Sequence, residues 1–307
     1  MVILSLLTVV TVIFYSFEPD QGQLSIDQEM FAIEDTAGID KIVITTDSFA
    51  NVLEKTPEGS WMVNQKFRLD EGLRKVLLSV LNRVRVQRPV SNARVDQVVA
   101  QLRNDNVAVE IYSDGQLLMD FLTGGNRITN TSYFMQTETR QPYQVALPGY
   151  DSYVAGIFEI SENDWRDRIV FNASPTSFTS VTYNYTIDSL EGFTIEYDGA
   201  FSLEGVENQD SEKILDLLSN MEFILADQYL DEGQRPTFDS LISRQPLWSL
   251  TLNKIGTTPV EIQFYNLKPI EGFLLGEINK SQLALFNYRR MRSIIVGLKD
   301  LTLNTGN

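Results

Sequence analysis

Hydrophobic positions recur in this chain at a fixed offset of 141 residues, the distance from Ile42 to Tyr183. That recurrence restricts the fold more than any motif does. It sets Ile42 and Ile44 against Tyr183 and Tyr185, and Val52 against Phe193. Asp70, placed as an N-cap ahead of an apolar stripe, answers to Ser211. The stripe Leu73, Val76, Leu77, Val80, Val84 returns as Ile214, Leu217, Leu218, Met221, Leu225, at the spacing that gives a helix one apolar face. Val107, Val109 and Ile111 return as Trp248, Leu250 and Leu252, and Tyr153 and Ile157 as Ile294 and Leu298. Few of these residues are identical, so what repeats is a structural unit and not a recent copy.

Inside the first copy, apolar alternation and turn residues predict strands over Lys41–Thr45, Ala50–Glu54 and Ser60–Val63. The helix follows and closes before Pro89, and Ser91–Asp105 reads as a polar stretch. Val107–Tyr112, Gln116–Leu122, Ser132–Gln136 and Tyr143–Leu147 then form a predicted meander. The expected fold class is α+β: an N-terminal transmembrane helix, then two tandem, internally duplicated units of antiparallel sheet with helices on one face. The expected divisions are 1–17 for the anchor, 18–38 for a linker, 39–170 for the first unit and 171–307 for the second.

The anchor expectation comes from Val2–Phe17, which carries no charge. As a helix it would reach ~24 Å, against ~30 Å of bilayer hydrocarbon. Tyr15–Glu18 offers no small-residue cleavage pattern, which favours an uncleaved signal anchor. Seven acidic residues lie between Glu18 and Asp40, and the first basic residue is Lys41. A flank without positive charge is free to translocate, which places the main part of the chain outside the cytoplasm. Apolar helices associate in lipid through small or hydroxyl-bearing residues. With no Gly or Ala in the stretch, Ser5, Thr8 and Thr11 are the expected partner-binding residues, facing an integral-membrane partner, and the bilayer is the other contact.

Composition acts mainly by exclusion. Zero cysteine removes disulfides, thiol catalysis and Cys-based zinc sites, and zero histidine removes the commonest general base and transition-metal ligand. Acidic residues outnumber basic ones 41 to 25, a net −16 that repels phosphate backbones and argues against nucleic acid. The acidic clusters Glu207–Glu212 and Asp227–Glu232 lack the ligand spacing that wraps Ca²⁺ and read as solvated faces. Glu162 and Asp164 meet the glycosidase requirement only if a cleft separates them suitably. No S-x-x-K is present for a Ser–Lys dyad, and Thr123–Asn126 reads as a turn instead of a phosphate cradle. Phe178, Tyr183, Tyr185, Phe193, Tyr197 and Phe201 are candidates to stack on a sugar or peptide, but period-two spacing favours core packing. No catalytic residue, metal ligand or cofactor is expected.

Several short stretches resemble a known bacterial family. They are Phe31–Asp35, Lys41–Ile44, Gly59–Val63, Pro89–Ser91, Tyr143–Val145 and Trp165–Arg168, and the family is the one catalogued as domain of unknown function 4340. The resemblance implies a cell-envelope protein of the bacterial inner membrane, single-pass, with its main part periplasmic. It implies partners among gliding-motility-type ABC transporter permeases and their large extracytoplasmic accessory subunit. The expected function is a non-enzymatic extracytoplasmic subunit or scaffold of a membrane protein complex. The alternatives are a solute- or glycan-binding envelope module and a histidine-independent envelope hydrolase.

Overall fold

The computed structural model describes residues 27–303 apart from 106, 189–190, 232, 267 and 269. Val2–Phe17, with Ser5, Thr8 and Thr11, lies outside the described residues. The chain divides into two compact units, Met1–Ile160 and Ser161–Asn307.

In the first unit the strands are β1 (Ile39–Thr45), β2 (Ala50–Lys55), β3 (Trp61–Val63), β4 (Phe67–Arg68), β5 (Arg85–Pro89), β6 (Val107–Ser113), β7 (Gln116–Asn126), β8 (Thr131–Gln136) and β9 (Tyr143–Ala146). They form one antiparallel sheet in the order β4-β3-β2-β1-β6-β7-β8-β9-β5. Asp114 and Gly115, both at positive φ, make the tight turn that joins β6 to β7. Helix α1 (Glu71–Arg83) starts where the Asp70 carboxylate accepts the Leu73 N–H at 2.9 Å, and it buries Leu77, Val80 and Leu81. Helix α2 (Asn92–Asp105) buries Val98, Val99 and Leu102.

The second unit comprises β10 (Ile169–Asn172), β11 (Phe178–Tyr185), β12 (Phe193–Tyr197), β13 (Phe201–Leu203), helix α3 (Ser211–Asn220), β14 (Phe223–Leu225), β15 (Gln228–Tyr229), β16 (Trp248–Lys254), β17 (Val260–Phe264), β18 (Phe273–Ile278) and β19 (Gln282–Asn287). Its main sheet runs β13-β12-β11-β16-β17-β18-β19-β15, and β10 pairs separately with β14. Strand for strand, this is the order of the first sheet without β4.

Hydrogen bonds fix the equivalence more finely than hydrophobicity does. Both first strands carry a register shift at the same place, between Ile39 and Lys41 and between Phe178 and Ser180. Ile44 therefore matches Tyr183, and Ile42 matches Val181, two residues from the expected alignment; the face is kept because strand side chains alternate. Val109 and Leu250 keep the 141 offset: Val109 lies between Ile44 of β1 and Phe121 of β7, and Leu250 between Tyr183 of β11 and Ile262 of β17. The helix offset is 140, since the cap is Asp210, accepting from Lys213 N–H, and not Ser211.

The repeat also begins earlier than 39. Val86 N–H donates to Gln28 O, and Ala226 N–H donates to Arg168 O, 140 residues on. Ile33 N–H bonds Leu81 O just as Ala173 N–H bonds Glu222 O. Phe31, 1 % exposed, meets Phe121 and Phe134 edge-on at 5.9 and 5.5 Å, and its counterpart Phe171 is buried in the second core. Residues 27–38 are thus part of the first unit, and Ile169–Asn172 part of the second.

The expected fold class needs correction. Strands take 40 % of the described residues and helix 26 %, and the strands form three antiparallel sheets. Among the described residues no helix is long and apolar enough to cross a membrane, so the transmembrane helix has no support here. Helical segments also cover more than one face. Residues 91–105, read only as a polar stretch, contain α2, and Val98, Val99 and Leu102 pack with Tyr133 and Met135 on the side of β8 away from Phe134. In the second unit the turns Arg235–Phe238 and Asp239–Ile242 place Phe238, Leu241 and Ile242 against Leu230, Tyr265, Leu275 and Leu283. The reason is visible in β8, where Ser132–Met135 are buried consecutively, so both faces need cover.

Phe31→Ala is expected to destabilise the first unit by about 3–5 kcal/mol, as for a buried aromatic anywhere in a core. Urea unfolding measures it; a shift under ~0.5 kcal/mol, typical of an exposed position, would show that 27–38 is only a linker.

Candidate functional site

The aromatic residues of the second unit build its core. Phe193, Tyr183, Trp248 and Phe264, from four adjacent strands, stack in succession with centroid separations of 4.6, 6.2 and 4.1 Å. Phe286 closes the row edge-on at 5.4 Å. Such a row forms because successive strands present same-face side chains side by side. Tyr183 and Tyr185 donate their hydroxyls to Ile294 O and Val296 O, each at 2.7 Å. Of the stacking candidates, Phe178, Tyr183 and Phe193 are buried, and Tyr197 and Phe201 lean on each other at 4.9 Å. Of the six, Tyr197 alone is exposed.

Most carboxylates singled out in the sequence have structural partners. Asp227 accepts from Asn287 N–H and pairs with Arg290 at 2.5 Å. Asp210 caps α3, Asp231 accepts from Gln234 N–H at 3.0 Å, and Asp164 accepts from the Ser161 hydroxyl at 2.7 Å. Glu162 and Asp164 share one helical turn, two residues apart. Among the described residues no group of three or more His, Cys, Asp or Glu is placed to hold a metal. Thr123–Asn126 ends strand β7 and is not a turn; a Cβ on Gly125 would lie 2.0 Å from Thr131 O, so the glycine permits close approach of β8.

Among the described residues, clefts in both units carry polar side chains, three of them as follows. One of about 360 Å³ in the second unit holds Lys254, which donates to Asn172 O at 2.6 Å and Asn172 Oδ1 at 2.9 Å. One of about 220 Å³ in the first unit holds Arg88, bonded to Gln144, and Arg94, bonded to the Tyr133 hydroxyl. The third, of about 520 Å³, lies in the first unit between residues 36–39, the β2–β3 hairpin, β4 and the first turns of α1. Lys55, Arg68 and Arg74 line it beside one carboxylate, Glu71. Arg74 grips Glu71 through two hydrogen bonds of 2.8 and 2.5 Å, which lowers the carboxyl pKa and raises that of the guanidinium. Trp61 and Leu69 supply apolar wall. Sequence reasoning does not find this cleft because its cations come from three elements and follow no motif. Ser5, Thr8 and Thr11 lie outside the described residues. No family model, curated protein or solved structure matches this chain, so the family resemblance rests on the short stretches that carry it.

The tyrosine row generates a pH prediction. Burial, reinforced by Asp300 and Glu191, pushes the Tyr185 phenol up to about 12, and burial raises Tyr183 well above its ordinary value. A phenol raised in the folded state stabilises fully below the unfolded value of ~10, and that stability disappears as pH climbs toward the folded value. The second unit should therefore lose stability between about pH 10 and 12, with part of the tyrosinate absorbance appearing only on unfolding. Tyr185→Phe should flatten that dependence while costing about 1 kcal/mol near neutrality for the lost hydrogen bond. An unchanged alkaline slope in the variant contradicts the assignment.

Proposed function

We propose that this chain is a non-enzymatic extracytoplasmic subunit or scaffold of a bacterial membrane protein complex, an accessory of an ABC-type transporter. The observation that supports a binding role is the duplication itself. In both copies an Asp side chain caps the main helix, and in the second the Tyr183 and Tyr185 hydroxyls are spent on backbone carbonyls, an arrangement suited to presenting surface. The absence of His and Cys from the whole sequence is consistent with this. The nature of the partners, integral-membrane proteins such as a permease and its large extracytoplasmic accessory subunit, follows from the family resemblance of stretches such as Gly59–Val63 and Trp165–Arg168. A sugar- or solute-binding role through the aromatic residues of the second unit is disfavoured, because Phe178, Tyr183 and Phe193 are buried.

Affinity purification of the tagged chain from detergent-extracted bacterial membranes tests this reading. Recovery of integral-membrane proteins in fixed ratio is expected, and a monodisperse monomer with no protein partner overturns it. An alkaline phosphatase fused after Asn307 should be active; an inactive fusion, beside a working cytoplasmic reporter at the same position, would place the chain in the cytoplasm.

A further inference from the structure

Three neighbouring strands at one end of the first sheet, β8, β9 and β5, set Tyr133, Gln144 and Arg88 side by side in a cross-strand row. The second sheet repeats the row as Leu275, Leu285 and Gln228, on β18, β19 and β15. There the two leucines join the apolar cluster of Leu230 and Leu283 beneath the turns at 235–242. One scaffold thus completes the row without a charge, and the fold does not dictate the polar version. In the first unit all three row residues line the 220 Å³ cleft, together with Ser91, just ahead of α2, and Arg94 in its first turn.

The polar groups of this cleft are only partly engaged. Tyr133 is 7 % exposed, and its hydroxyl oxygen accepts from Arg94 Nη2 at 3.2 Å. That bond leaves the phenolic proton without an acceptor among the described residues, although the hydroxyl is a donor as well as an acceptor. Arg88 Nε donates to Gln144 Oε1 at 3.0 Å, and Gln144 Nε2 donates in turn to Gln87 Oε1 at 3.4 Å. Both guanidinium groups therefore meet neutral partners among the described residues, and no carboxylate lines the cleft. The contrast lies within one strand, since Arg85 of β5 pairs with Glu29 at 3.2 Å while Arg88 has no such partner among them. Two like charges lining one cleft repel each other, and an anion between them reverses the balance.

We propose that this cleft binds a tetrahedral oxyanion of charge near −2: phosphate, either free or as the monoester end of a small molecule. Arg88 and Arg94 supply forked N–H donors, which fit phosphate oxygens in pairs. Tyr133 supplies its unspent O–H. A carboxylate carries a single charge on two coplanar oxygens and leaves one guanidinium uncompensated. The volume, room for about seven waters at ~30 Å³ each, suits one such group. The net charge of −16 opposes a long polyanion, whose charges extend past the cleft, more than a single ion held by two cations. The site goes beyond the subunit reading and does not depend on it.

Isothermal titration calorimetry of the full chain in chloride buffer, with inorganic phosphate and separately with glycerol 1-phosphate, tests this. Saturable one-to-one binding is expected for at least one of them, with a dissociation constant of about 1 mM or tighter. The tighter of the two identifies the free ion or the monoester as the source. Arg88→Gln and Arg94→Gln should each weaken binding on the order of tenfold, as for loss of a charge-assisted hydrogen bond. Tyr133→Phe keeps the ring and drops only the hydroxyl, for a loss of about threefold. Both arginines are exposed, so their variants keep the fold, checked by circular dichroism. Lys55→Gln removes the same charge from another cleft of this unit and should leave the constant unchanged. Sulfate should compete and acetate should not. Absence of saturable binding by either ligand overturns the proposal, as does wild-type affinity in any of the three cleft variants. An equal loss in Lys55→Gln, or acetate binding as tightly as phosphate, overturns it too, by marking a diffuse charge effect.

Discussion

A sheet eight or nine strands wide has two apolar faces, and most of what surrounds each sheet in this chain serves to hide both. Burying one large apolar side chain contributes about 1.5–3 kcal/mol, so an open face would forfeit more than a domain's net stability. Each unit meets the demand with little helix. In the second, α3 and Phe171 share one core with the aromatic row, while Phe238, Leu241 and Ile242 close the reverse side. In the first, Phe31 closes over Phe121 and Phe134, and α2 lies under Tyr133 and Met135. The segment ahead of the first strand is therefore as structural as the strands.

The copies solve the same packing problem with different chemistry. Ile44, Val107 and Val109 stand where the second copy has Tyr183, Trp248 and Leu250. The larger rings fill more of the space above the sheet, and the two hydroxyls bind carbonyls of residues 294 and 296, holding the closing turns in place. The exchange has a penalty: Trp248 Nε1 is buried without a hydrogen-bond partner among the described residues, at about 1–3 kcal/mol. Stacking on Tyr183 and Phe264 offsets this, at about 0.5–1.5 kcal/mol per pair beyond burial.

How much of this was legible depended on whether a signal was periodic. The alternation in β1 and β6 and the stripe of α1 announced themselves, and the 141 offset of Val109 and Leu250 came from them. The shift to 139 in the first strand did not, because a difference of two residues preserves the alternation of side chains and leaves the buried face unchanged. Asp210 was missed as the cap because Ser211 beside it is an equally good candidate by residue type. In α2 the apolar positions Val95, Val98, Val99 and Leu102 are correctly spaced for a helix, but Arg, Asp and Gln around them mask the stripe. Phe31 belongs to a small apolar island, Met30–Ile33, in a polar stretch, too short to carry a period that would mark it as core. The cationic cleft is a meeting of Lys55, Arg68 and Arg74 from separate elements, information that resides in the fold alone.

The bond from Val86 to Gln28 sets the order of synthesis against the order of assembly. The ribosome releases Gln28 fifty-eight residues before its partner, a delay of about 3–12 s at ~5–20 residues per second. The receiving strand, β5, in turn joins the sheet only beside β9, which ends at Ala146. Phe31 and its apolar neighbours thus emerge early and must remain uncovered until nearly a whole unit has been made. Contacts so distant in sequence fold slowly, and a nascent chain in that state presents the kind of surface that holdase chaperones recognise.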